Sequence, residues 1–109
     1  MHKELMMQIQ INAADKQTRA VDEDFVRAEV ESALTRFAER ITRVEVHVRD
    51  VNGPKSGDDK HCTMEARIGG REPVAVTAEA AELNDAISAA AGKLQRKIQN
   101  DLERLSERR

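Results

Sequence analysis

Lys93, Lys97, Arg104 and Arg108 recur at intervals of four, seven and four residues, a spacing that keeps four cations on one side of a helix. Arg96 falls beside them. Such a ridge contacts phosphate oxygens without reading bases, because phosphates offer charge and carry no sequence. The plainer reading is equally strong: on a solvated helix, charges at this spacing simply keep the surface wet. Arg36 and Arg40, near the end of an earlier helical run, are further candidates for phosphate contact, as are Arg43 and Arg49 on an alternating strand.

Other side chains invite chemistry and fail on geometry. His47 and His61 approach each other across a hairpin, with Cys62 beside His61. No second cysteine or clustered carboxylate completes a tetrahedral metal set, so no metal is expected. A cysteine–histidine nucleophile is excluded by strand alternation, which sends Cys62 inward and the imidazoles outward. Asp58 and Asp59 sit in a Gly-rich loop without the burial that shifts a carboxylate toward acid–base work. Gly69-Gly70 is a turn and not a phosphate cradle, since no helix start follows directly. The chain is expected to be no enzyme, with no cofactor and no small-molecule substrate.

Composition sets the scale. At 109 residues the chain suits a single domain over 1–109. It is 39% apolar and 35% charged, lacks Trp and Tyr, and has only Phe25 and Phe37 as aromatics. The core must therefore be aliphatic, gaining about 1.5–3 kcal/mol per large side chain buried. One cysteine fits a reducing cytosol. No run approaches the roughly 18 apolar residues of a membrane span, and Met1-His2-Lys3-Glu4 opens no secretion signal. A cytoplasmic location away from membranes is the expectation. The net charge is −2, distributed as +1 over 1–21, −3 over 22–40, −1 over 41–81 and +1 over 82–109. The first helix is thus a poor phosphate contact apart from Arg36 and Arg40, and the last is a better one.

Periodicity supplies the elements that must position these groups. Met7, Ile9 and Ile11 alternate with glutamines as a short strand. After a polar connection over 12–21, Asp22 caps a helix of about 22–39, with Val26, Val30, Ala33, Leu34 and Phe37 at helical spacing. Residues 41–49 alternate, with Val44, Val46 and Val48 inward and Arg43, Glu45, His47 and Arg49 outward. A loop over 52–59 leads to Cys62, Met64, Ala66 and Ile68 inward. A turn over 69–73 then leads to Val74, Val76 and Ala78. A final helix over about 82–106 carries Leu83, Ile87, Ala90, Ala91, Leu94, Ile98, Leu102 and Leu105 on one stripe, weakened locally by Gly92. The fold class is α+β: a two-layer β-α-β-β-β-α sandwich with both helices on one face of a four-stranded sheet, like a double-stranded-RNA-binding domain.

Several positions carry a family likeness. Pro73 through Ile87 runs PVAVTAEAAELNDAI, followed by Lys93-Leu94-Gln95-Arg96-Lys97-Ile98. With Ile9, Ile11, the Asp22 cap and the Arg43–Val48 strand, this resembles the bacterial ribosome hibernation factors, also called the sigma-54 modulation or ribosome-associated inhibitor family. In that pattern Glu82 and Leu83 open the helix, Ala86 and Ile87 follow, and Lys93, Leu94 and Arg96 match in register. Asn84 stands where the family usually has Tyr, and Asn100, Asp101 and Glu103 dilute its lysine-rich end. The resemblance implies a short-form member that occupies the messenger and transfer-RNA channel of the small ribosomal subunit under stress and blocks translation.

On that implication the RNA-binding residues would be Lys93, Arg96, Lys97 and Arg104, supported by Arg36, Arg40, Arg43 and Arg49. The outward sheet face lacks aromatics, which excludes base stacking on a sheet platform and leaves recognition by shape and phosphate geometry. The rival reading is a protein-interaction module on the same fold, favoured by the acidic first helix, Asn84 and the diluted tail. A homodimer through the exposed edge of the first strand is compatible with either.

Overall fold

The computed structural model describes residues 7–14, 21–51 and 60–107. The loop over 52–59 with Asp58 and Asp59, part of the 12–21 connection, the Leu105 side chain and Arg108 lie outside the described residues. Four strands form one sheet in the order β1-β2-β3-β4: β1 (Gln8–Ala13), β2 (Ile41–Asp50), β3 (Lys60–Ile68) and β4 (Val74–Ala80). β1 pairs parallel to β2, and the other two pairings are antiparallel. α1 (Glu23–Leu34) returns the chain from the end of β1 to the start of β2, and α2 (Leu83–Glu107) follows β4.

The inward sets anticipated from alternation all converge. Val44, Val46, Val48, Cys62, Met64, Ala66 and Ile68 join Val26, Val30 and Leu34 of α1 in one cluster with Ile87, Ala90, Ala91, Leu94 and Ile98 of α2. Both helices therefore cover the same sheet face, as one-sided apolar patterning requires. Cys62 is a buried filler of this core, and burial pushes its thiol up to about 12. Because the thiolate is the reactive species, iodoacetamide should label Cys62 only as fast as the chain unfolds. Labelling at the rate of a free thiol in native buffer would contradict this packing.

Local chemistry sets the boundaries. The Asp22 carboxylate accepts from the Phe25 amide at 3.2 Å, the cap expected from sequence. The α-helix then stops at Leu34, short of the expected 39, and a 3-10 turn covers Thr35–Phe37. The reason lies in Thr35, whose hydroxyl donates back to the carbonyl of Glu31, a bond that competes with helix continuation. The tighter turn swings Phe37 into the core. Strict alternation along β2 would carry Ile41 outward with Arg43, but a bulge between them returns Ile41 to the interior. Between β3 and β4, the Arg71 amide donates to the Ile68 carbonyl at 3.0 Å, and Gly70 supplies the positive φ of 76° that this turn needs.

Gly92 has no such excuse. A Cβ built there would meet only the Arg96 guanidinium, at an ordinary 3.5 Å. Gly92→Ala is expected to raise stability by up to about 1 kcal/mol, read from the urea midpoint, since it removes backbone entropy from the unfolded chain.

Candidate nucleic-acid interface

The two helices run in the same direction, which decides where charge collects. α1 descends from the end of β1 to the start of β2; α2 descends from the end of β4, and Ser88 donates to Glu29 across them at 2.7 Å. Both helix N-termini thus share one end of the molecule, with Asp22, Glu23, Asp24, Glu82 and Asp85 around them. These carboxylates answer the positive ends of two macrodipoles. At the opposite end lie Arg36 and Arg40 after α1, and Arg104 in the last turn of α2. Helix electrostatics alone accounts for part of the basic pattern.

The eight expected cations do not form one surface. Lys93, Arg96, Lys97 and Arg104 are exposed on α2. Of these, Lys93 is engaged: its Nζ donates to the carbonyl of Thr77 at 2.7 Å, occupying an acceptor on β4, an edge strand. Arg96 folds back over Gly92. Lys97 lines a surface cleft of about 550 Å³ together with Arg71, Glu72 and Asp101. Arg36 lies over the ring of Phe37, 5.6 Å from its centroid, a cation–π contact. Arg40 is exposed, and its carbonyl accepts from the Gly69 amide at 3.1 Å, which ties the α1 exit to the β3–β4 turn. Arg40, Arg71 and Lys97 therefore gather at one end of the sandwich.

Arg43 and Arg49 are on the open sheet face, turned away from the helices. Register arranges that face in rows across the strands. Gln8, Arg43 and Arg67 make the first; Gln10, Glu45, Glu65 and Ala75 the second; Asn12, His47, Thr63 and Thr77 the third; Arg49, His61 and Glu79 the fourth. Arg43 is half-buried and ion-paired with Glu45, which also meets His47 at 3.4 Å. The Arg43 hydrogen bond, and then that of His47, hold the Glu45 carboxyl below the usual carboxylate range. A depressed carboxyl of this kind stabilises the fold above the ordinary carboxylate range and loses that contribution as acid protonates it. Arg49 has no ion-pair partner among the described residues.

Two cations were not singled out from sequence as contacts. Arg67 stands directly across from Arg43, and Arg71 shares the cleft with Lys97. Alternation along the third strand already turned Arg67 outward with Arg43 and Arg49, but its place opposite Arg43, and that of Arg71 beside Lys97, exist only after pairing. His47 and His61 share the open face as expected, on neighbouring strands and offset diagonally by one row. Among the described residues no three metal-ligating side chains cluster, and no helix is long and apolar enough to cross a membrane.

A sequence profile described as sigma 54 modulation protein / S30EA ribosomal protein matches residues 9–106. The chain belongs to this family. No curated protein sequence matches it. Among solved structures, the N-terminal domain of protein Y from Thermus thermophilus is similar at TM-score 0.68 and 19% identity, covering 86% of this chain and 98% of that one. A ribosomal subunit interface protein from Coxiella burnetii is similar at TM-score 0.67 and 16% identity, covering 89% and 99%. At these identities the likeness is one of fold.

Membership also clarifies what the recognisable positions do. Ala86, Ile87 and Leu94 are fully buried, and the Glu82 carbonyl starts α2 by accepting from the Ala86 amide at 3.0 Å. The positions that carry the resemblance are thus largely packing positions of α2. Lys93 and Arg96 are exposed, and Asn84 faces solvent in the first turn.

Proposed function

We propose that this protein is a ribosome hibernation factor that enters the messenger and transfer-RNA channel of the small subunit under stress. The observation that carries the reading is membership of the sigma 54 modulation/S30EA family over nearly the whole chain. The protein works by occupancy, without catalysis and in the cytoplasm: its body excludes messenger and transfer RNA while cations hold ribosomal phosphates. Arg96, Lys97 and Arg104 on α2, with Lys93 beside them and Arg36 and Arg40 at the α1 exit, supply the grip. Arg43 contributes less because Glu45 neutralises it. Arg49 contributes from the other face.

Co-sedimentation with purified small subunits across a salt series tests this. Binding that falls steeply with salt is expected, since each neutralised phosphate releases counterions. Absence of binding in dilute buffer would remove the assignment. A second reading, a protein-interaction module, is favoured by the acidic end around Asp22, Glu23 and Asp24. It predicts recovery of a discrete protein partner from stationary-phase lysate without ribosomal RNA. A homodimer through the β1 edge, whose side chains Gln8 to Ala13 carry no charge, is compatible with either reading, and sedimentation velocity tests for it.

A further inference from the structure

On the open sheet face the described formal charges cancel. Arg43 and Arg49 from β2 and Arg67 from β3 stand against Glu45 from β2, Glu65 from β3 and Glu79 from β4, and β1 contributes only amides. The sign of this face is therefore set by its two histidines, His47 and His61. Imidazole is the side chain whose charge ordinarily changes between about pH 5 and 8.

Both histidines open onto one depression of about 430 Å³, lined also by Asn12, Arg49 and Thr63. No carboxylate lines it. Glu45 and Glu79 meet the two imidazoles, at 3.4 and 3.7 Å, and Glu45 is already claimed by Arg43. Arg49 is the fixed cation of the basin and has no partner among the described residues. With both rings protonated, the lining becomes a set of donors from three side chains around an otherwise unfilled space.

We propose that this basin binds a phosphate oxyanion, free or carried on a nucleic-acid backbone, and that acidification switches the binding on. Arg49 presents a planar fork to two phosphate oxygens. His47 and His61, whose Nε2 atoms face Glu45 and Glu79, offer their other ring nitrogens to the remaining oxygens once protonated, and Asn12 and Thr63 add neutral donors. A phosphate suits this set because it is tetrahedral and, even as a diester, sets two ester oxygens outside the plane of its two anionic ones, whereas a carboxylate offers two oxygens in one plane.

The inference concerns the isolated protein and does not depend on ribosome binding. The test is an NMR titration of the full chain at about pH 6 and about pH 8, at fixed ionic strength, with a short single-stranded RNA, inorganic phosphate and acetate. The RNA diester keeps its charge across that range, so it isolates the titration of the protein. Binding about tenfold tighter at the lower pH is expected, with His47, His61 and Arg49 resonances moving together. His47→Gln with His61→Gln should erase the pH difference, and Arg49→Gln should weaken binding at both values. Circular dichroism checks that each variant keeps its fold.

RNA binding without inorganic phosphate identifies a backbone-borne group, and binding of both identifies the phosphate itself. Equal affinity at the two pH values overturns the proposal, as does a pH difference that survives in the double histidine variant, or acetate bound as well as phosphate. If ribosomes ignore the protein yet the acid-dependent titration appears, this inference stands and the ribosomal reading falls.

Discussion

Leu94→Ala is expected to remove about 2–5 kcal/mol of folding stability. Leu94 is wholly excluded from solvent, midway along α2, within a core whose only buried aromatic is Phe37. Neighbouring Ile87, Ala90, Ala91 and Ile98 are small or branched and attached to a rigid helix, so they collapse poorly into the space a lost isobutyl group leaves. Since small domains are stable by only about 5–15 kcal/mol, this one change threatens folding at physiological temperature. Urea denaturation with an unchanged m-value reads the effect directly. Leu102→Ala, at a half-buried position farther along the same stripe, should cost clearly less. A Leu94 loss below about 1 kcal/mol would mean that α2 does not pack as described.

Arg96→Glu combined with Lys97→Glu should weaken association with small subunits by about a hundredfold at low salt and flatten the dependence of log K on log salt by about two contacts. Both side chains are exposed, so the fold should be unaffected. Lys93 serves as the informative comparison. Lys93→Gln removes the charge yet retains a donor for the Thr77 carbonyl, whereas Lys93→Leu removes both. If only the second variant aggregates, Lys93 acts on the β4 edge. If both lose ribosome binding equally, its charge matters for RNA. Unchanged sedimentation of the Arg96/Lys97 variant would reduce these cations to solvation and helix-dipole balance.

Most of the architecture was legible because each element has a single apolar side. Val44, Val46 and Val48 could face only the core, and so could Cys62, Met64 and Ala66. The end of α1 was not legible, because apolar spacing continues through Phe37 while a single hydroxyl on Thr35 tightens the backbone. The bulge before Arg43 left only a faint trace, the apolar Ile41 standing three residues from Val44 where a period of two allows two or four. The site was less readable than the fold. Spacing put Lys93 and Lys97 on one side of a helix but could not show that one reaches a β4 carbonyl and the other a mixed-charge cleft. Placing Arg43 outward was correct; its neutralisation by Glu45 depends on two rotamers. The shared polarity of the two helices, which divides acidic from basic ends, emerges only from the parallel pairing of β1 with β2.

That parallel pairing also governs how the chain emerges during synthesis. Gln8 must wait for Arg43, and Ala13 for Val48, so β1 lacks its β2 partner until α1 has been made. Contacts so distant along the chain form slowly, since loop entropy is spent before they reward it. The nascent Gln-Ile-Gln-Ile segment has high pairing tendency and no charge to repel a neighbour. Folding yield in the cell should therefore be limited by capture of this one segment, and a lysine in place of Gln10 should raise soluble yield without altering the finished sandwich.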